Sequence, residues 1–247
     1  LDTGAPYLVL NSTYFRQFKI ERENMASGID GQMVEQKTLD VEKLTIRDLY
    51  YEELTADVID LSTIENKRGV KILGLLGVNL WLKLQLDINI KQSTLTLWEL
   101  NRKGETLSPS ATAKKAGQYV FDFRLRNGVI LLKSSINGHT LFMGLDTGAE
   151  TCVLSNDLPS VVFEAVEITD RKQLYGAGGT SVEVLFGNLL NLDVGCPVKG
   201  SKVIIANLSA LGKSYGISID GIIGFDLLNQ GQLSLNFRKK EITLQVL

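Results

Sequence analysis

The feature that most limits what this chain can fold into is a motif it carries twice. The sequence opens "LDTGAPYLVL", Leu1 to Leu10, and repeats it as "LDTGAETCVL", Leu145 to Leu154, with seven of ten positions identical. A second landmark recurs in the same order, "GLLGVNLWLKLQLDINI" from Gly74 matching "GIIGFDLLNQGQLSLNF" from Gly221. Asp2 to Asp146 is 144 residues and Gly74 to Gly221 is 147. Two ordered landmarks at nearly one spacing are what an internal duplication leaves. A chain of 247 residues is long enough for two small units, each with an apolar interior.

Between the copies, "NRKGETLSPSATAKKAG" is polar, small and without apolar period, and reads as a linker over residues 101–117. The units are then 1–100 and 118–247. Within them, "KLTIRDL", "STLTLWEL", "VILLKSSI", "VEVLFGNLLNLDV", "LSLNF" and "EITLQVL" place apolar residues at every second position, the period of a half-buried strand. The fold class is mainly β. Helical signals are short, the best being Ser12 to Phe18 and the few residues following "GIIGFDLL". The second unit has a hairpin-like stretch, "ILLKSSINGHTLFMGLD", ahead of its motif. The first has no counterpart, so its leading strands are expected to be missing.

A net charge of −2 leaves no positive field to hold a phosphate backbone, which argues against nucleic acid as a partner. Lys114 with Lys115, and Arg238 to Lys240, read as solvated turns. No apolar run approaches the roughly 20 residues of a membrane span. Cys152 and Cys196 allow one disulfide or two buried thiols. His139 is the only histidine and sits in the turn-like "INGHT", which disfavours Ser-His or Cys-His chemistry and a histidine metal site. "GAGG" lacks the Lys-Ser/Thr of a phosphate-binding loop.

"DTGA" followed by "VL", with an apolar pair and glycine ("LLG", "IIG") further on, resembles the retropepsin-like aspartic proteases. Its double occurrence resembles the two-lobed, single-chain bacterial kind. The resemblance implies two retropepsin/pepsin-like β-barrel lobes related by pseudo-twofold symmetry, with Asp2 and Asp146 as the catalytic pair. Such a pair can place a water between a base and an acid. Like charges in contact push one apparent pKa down and the other up, a behaviour known for this class of enzyme and carried over with it.

The resemblance also assigns the neighbours. Gly4 and Gly148 let the acid loops turn tightly, Thr3 and Thr147 hydrogen-bond across the lobes, and Gly77 and Gly224 pack behind. Ala5 and Ala149 stand where many pepsin-like enzymes have a hydroxyl donor to the carboxylate, so the optimum is expected nearer neutrality than pepsin's. Gly176, Ala177, Gly178 and Gly179 are expected at the tip of a flap over the cleft, with Gly28 and Gly31 in a less similar flap of the first lobe. The implied partner is an extended peptide or protein substrate; no cofactor and no metal are implied. The expected activity is that of an aspartic endopeptidase, working as a monomer with its lobes paired within one chain. The rivals are a catalytically silent peptide- or ligand-binding module, and a homodimer in which lobes pair between chains.

Overall fold

The computed structural model describes residues 1–16, 22–27, 33–107, 117–175, 181–198 and 200–246. It is mainly β, as the period-two segments require. The first half runs β1 (Leu8–Asn11), β2 (Arg22–Ser27), β3 (Met33–Ile46), β4 (Leu49–Ile59), α1 (Ser62–Arg68) and β5 (Gly74–Leu75). A 3-10 turn, Val78–Trp81, leads into β6 (Leu84–Asn89) and β7 (Thr94–Glu99). The second half begins β8 (Gln118–Arg126), β9 (Val129–Ile136), β10 (His139–Leu145), β11 (Cys152–Ser155), α2 (Ser160–Phe163), β12 (Val166–Tyr175) and β13 (Ser181–Leu189). It ends with β14 (Leu192–Asp193), β15 (Pro197–Val198), β16 (Ser201–Ala206), α3 (Ser209–Tyr215), β17 (Gly221–Ile223), α4 (Phe225–Leu228), β18 (Gly231–Asn236) and β19 (Glu241–Val246).

One ladder position recurs in each half and decides where the acid loops emerge. β1 lies parallel to β4, Leu8 opposite Ala56, and antiparallel to β5, Val9 opposite Leu75. β11 lies parallel to β16, Cys152 opposite Val203, and antiparallel to β17, Val153 opposite Ile222. Each "DTGA" segment enters the central strand of such a trio. Beyond that the halves differ. The larger sheet continues from β17 into β10, β9 and β8, whereas the five-stranded sheet has β5 as its edge. Neither sheet closes on itself among the described residues, so the structure shows open sheets rather than barrels.

The two halves share a core. β6 pairs with β18, with Asp87 opposite Ser234, and β18 with β19, which pairs with β8. Leu86, Leu233, Leu235, Ile242 and Leu244 are fully buried there, packed with Trp81 and an edge-to-face pair of Phe123 and Phe237 at 5.7 Å. Each such side chain contributes about 2 kcal/mol on burial.

Both Asn-Gly pairs make two-residue hairpin turns. Asn127-Gly128 and Asn137-Gly138 have positive φ at both positions, which puts Arg126 opposite Val129 and Ile136 opposite His139. The helices differ from expectation: α4 lies within "GIIGFDLL", and the residues that follow it turn into β18 instead of forming a helix. Residues 12–16 form a hydrogen-bonded turn on the Asn11 carbonyl, not the start of a helix. The longest helices, α1 and α3, stand at segments the apolar pattern passes over, and each is closed by a left-handed glycine, Gly69 and Gly216. The first part of the linker is an ordered turn: Gly104 N–H donates to Asn101 O, and Asn236 Nδ2 donates to Gly104 O at 2.9 Å. Lys114 and Lys115 lie outside the described residues, and Arg238 to Lys240 form the exposed turn between β18 and β19. No helix among the described residues is long and apolar enough to cross a membrane.

Candidate active site

Each acid loop is stitched to the second landmark of its own half. Asp2 N–H donates to Leu76 O at 3.1 Å and Asp146 N–H to Ile223 O at 2.8 Å. At the far end, Val78 N–H donates to Ala5 O and Phe225 N–H to Ala149 O, both at 2.9 Å. This is why the landmark carries a glycine. A Cβ at Gly77 would strike the Tyr7 and Ala5 carbonyls, and one at Gly224 the Asp146 and Ala149 carbonyls.

The two loops are then clasped to each other. Thr3 N–H donates to Thr147 Oγ1 at 3.0 Å and Thr147 N–H to Thr3 Oγ1 at 2.9 Å, a reciprocal pair. Each hydroxyl donates onward to the residue before the other loop's aspartate, Thr3 Oγ1 to Leu145 O at 2.7 Å and Thr147 Oγ1 to Leu1 O at 3.2 Å. Thr3 is buried and Thr147 only partly so.

Asp2 and Asp146 meet at the centre of this clasp. Gly4 N–H donates to Asp2 Oδ1 at 2.9 Å and Gly148 N–H to Asp146 Oδ1 at 2.7 Å. Burial, then the Asp2 charge, and a hydrogen bond with the Asp2 side chain raise the Asp146 pKa to about 6, against the lowering pull of the Gly148 and Ala149 amides. Gly4 is needed for close approach, because a Cβ there would lie 2.5 Å from Asp146 Cγ. Neither Gly4 nor Gly148 has positive φ, so the tight fit rather than left-handed backbone explains the residue type. Each carboxyl group thus accepts a backbone amide from its own loop, and the Asp2 and Asp146 side chains lie close enough to interact directly.

Two further side chains reach across the halves, and the sequence reading passed over both. Tyr215, the last residue of α3, donates its hydroxyl to Gly4 O at 3.2 Å. Arg68, the last residue of α1, forms an ion pair with Glu150, just past the second loop. The signal was there: "LSTIENKRG" and "LSALGKSYG" share a glycine stop at an offset of 147, from Gly69 to Gly216, with Arg and Tyr immediately before it.

The flap positions Gly28, Gly31, Gly176, Ala177, Gly178 and Gly179 lie outside the described residues. The arms that lead to them are antiparallel pairs in both halves, β2 with β3 up to Ser27 opposite Met33, and β12 with β13 up to Tyr175 opposite Ser181. Among the described residues no group of three His, Cys, Asp or Glu is placed to hold a metal ion. His139 begins β10 directly after its turn.

Cys152 and Cys196 are buried free thiols. Burial and the Asp226 carboxylate, to which Cys152 Sγ donates at 3.2 Å, push the Cys152 thiol far above its ordinary range, and burial pushes Cys196 up to about 11. Both are expected to resist alkylation by iodoacetamide in the native protein at pH 8 and to react on unfolding in urea. Stoichiometric labelling of the folded chain would contradict this burial.

No family model and no curated protein matches the chain. Among solved structures it is similar to a retropepsin-like aspartic protease from Rickettsia conorii, at 16% identity and a TM-score of 0.34, over 52% of this chain and 88% of that one.

Proposed function

We propose that the chain is an aspartic endopeptidase whose lobes, residues 1–100 and 118–247, meet about a pseudo-twofold axis with Asp2 and Asp146 as the catalytic pair. The main support is the contact between these two carboxyl groups, inside a reciprocal threonine clasp that joins loops 144 residues apart. The β6–β18 ladder agrees with such an axis. Gln85 faces Asn236 and Asn89 faces Gln232, and an offset of 147 exchanges one pair for the other.

The chemistry follows from the unequal carboxyl groups. Asp146, whose pKa is raised to about 6, holds the shared proton. The ionised partner takes a proton from a water lying between them, the water oxygen bonds to the scissile carbonyl carbon, and the carbonyl oxygen receives the Asp146 proton. Collapse of the resulting diol breaks the C–N bond, with a proton passing to the leaving nitrogen. The substrate lies in the cleft as an extended strand, held through its backbone, with alternate side chains setting preference. One chain supplies both loops.

The test is digestion of a mixed peptide library from about pH 3 to about pH 8. Cleavage is expected to follow a bell with its basic limb near 6, where Asp146 loses the shared proton, and a pepstatin-type inhibitor is expected to raise Tm. An optimum in strong acid would refute the role given to Ala5 and Ala149. Inhibitor or peptide binding without cleavage at any pH would make the protein a silent peptide-binding module of the same fold.

A further inference from the structure

Gly4 is gripped from two sides, and one of the grips comes from the other half of the chain. Its N–H is held by Asp2 Oδ1 and its carbonyl by the Tyr215 hydroxyl, 211 residues away. Gly4 is also the residue packed against the Asp146 carboxylate. Its position therefore sets how near the loop carrying Asp2 comes to Asp146. We propose that Tyr215 is a positioning residue for the acid pair, its phenol fixing the Gly4 carbonyl and through it the separation of the two carboxyl groups. The proposal rests on the dyad reading given above.

Tyr215 is itself well held. Its ring joins a small apolar cluster of Val129, Leu131, Leu208, Ile219 and Ile222, with Ala149 and Val153 packed alongside, so the cluster sits directly behind the Asp146 loop. Its carbonyl accepts from Asn127 Nδ2 at 2.8 Å, and Gly216 closes the helix at φ 62. Asp146, Asp2 and Asp57 are the charges that face the phenol. Together with burial, the largest cause, they push its pKa up to about 12. The hydroxyl thus stays a donor throughout the range in which the carboxyl pair titrates, and a neutral donor adds no charge to the site.

The counterpart at an offset of 147 does something different. Arg68 ends α1 as Tyr215 ends α3, yet it pairs with the exposed Glu150 and not with a loop glycine. The two acid loops are therefore held by unlike latches, one half-buried and neutral, the other exposed and ionic. Such inequality distinguishes two carboxyl groups whose immediate motifs are the same.

Tyr215→Phe keeps the ring and its packing while removing the donor. It is expected to lower kcat about tenfold with KM changed less than about twofold, as slight misplacement of a reacting group does. The looser pair also couples less, so the basic limb moves to lower pH. Leu211→Ala loosens the same cluster and leaves the hydroxyl, and is expected to leave the limb in place. If Leu211→Ala moves the limb as far as Tyr215→Phe, or if Tyr215→Phe leaves both kcat and limb unchanged, Tyr215 is only a packing residue. A readout independent of turnover is the 13C carboxyl titration of Asp146 by NMR. Its midpoint is expected to fall from about 6 towards the ordinary range in Tyr215→Phe. An unmoved midpoint overturns the proposal, whereas a moved midpoint in a protein that cleaves nothing overturns the endopeptidase and leaves the positioning role standing.

Discussion

Asp146→Asn is expected to abolish peptide cleavage, by a factor of 10³ or more, in a chain that folds and is more stable than wild type at neutral pH. The loss of turnover follows because an amide can neither hold nor release the shared proton. The gain in stability has a separate cause. In the folded chain the Asp146 pKa is raised from 3.8 to about 6, so folding favours the protonated form. Its contribution is fully present below about pH 4 and is lost as pH rises through about 6. A shift of that size corresponds to at most about 3 kcal/mol. Asparagine keeps an oxygen to accept from the Gly148 amide and carries no charge to desolvate, so its stability is flat over the same interval. Urea titrations at pH 4 and pH 7.5 check this: the two proteins should be nearly equal at the lower pH and differ by up to about 3 kcal/mol at the higher. Wild-type stability unchanged between the two pH values would contradict the buried, paired carboxyl. Asp2→Asn should also end cleavage, and by removing the second cause of the Asp146 shift it should lower that pKa part of the way.

What the sequence made legible was largely local. Period-two apolar runs give the strands, because alternate side chains of an extended chain fall on one face, and the Asn-Gly pairs give the hairpin turns, because Asn and Gly tolerate positive φ. The family resemblance that the duplicated motif carries implied the pairing of Thr3 and Thr147, whose reciprocal bonds span 144 residues. The helices were harder. Ser12 to Phe18 was expected to be helical, but over residues 12–16 the Asn11 carbonyl accepts the Tyr14 and Phe15 amides in a turn. α1 buries none of its own residues, so no apolar stripe marks it, and its stop at Gly69 is the visible sign. Tyr215 was harder for a different reason: the repeated glycine stop at an offset of 147 marks its place in the chain but not its partner. Its role lies in a single bond to a carbonyl in the other half, and nothing in its local pattern separates it from any tyrosine at a helix end.

Thr3→Val should be more damaging than Thr147→Val, although the two residues occupy the same place in their motifs. Valine matches threonine in shape, so packing is kept and only the hydroxyl is lost. At Thr3 that leaves the Leu145 carbonyl without its donor and the Thr147 amide without its acceptor, at a site where Thr3 is 1% exposed and water does not substitute. The buried Leu145 carbonyl and the half-buried Thr147 amide, left unpaired, cost about 2–5 kcal/mol together. Thr147 lies nearer solvent and its onward bond to Leu1 O is longer, at 3.2 Å, so its replacement should cost about 1–2 kcal/mol. Because each hydroxyl accepts the other residue's amide, the two losses overlap within one network. A double-mutant cycle by urea unfolding should show a coupling of about 1–2 kcal/mol. Turnover is expected to fall more than the folded fraction in Thr3→Val, since the clasp is what holds the loops of Asp2 and Asp146 face to face. Strict additivity, or equal costs at the two positions, would mean that the threonines stabilise their own loops separately and do not join them.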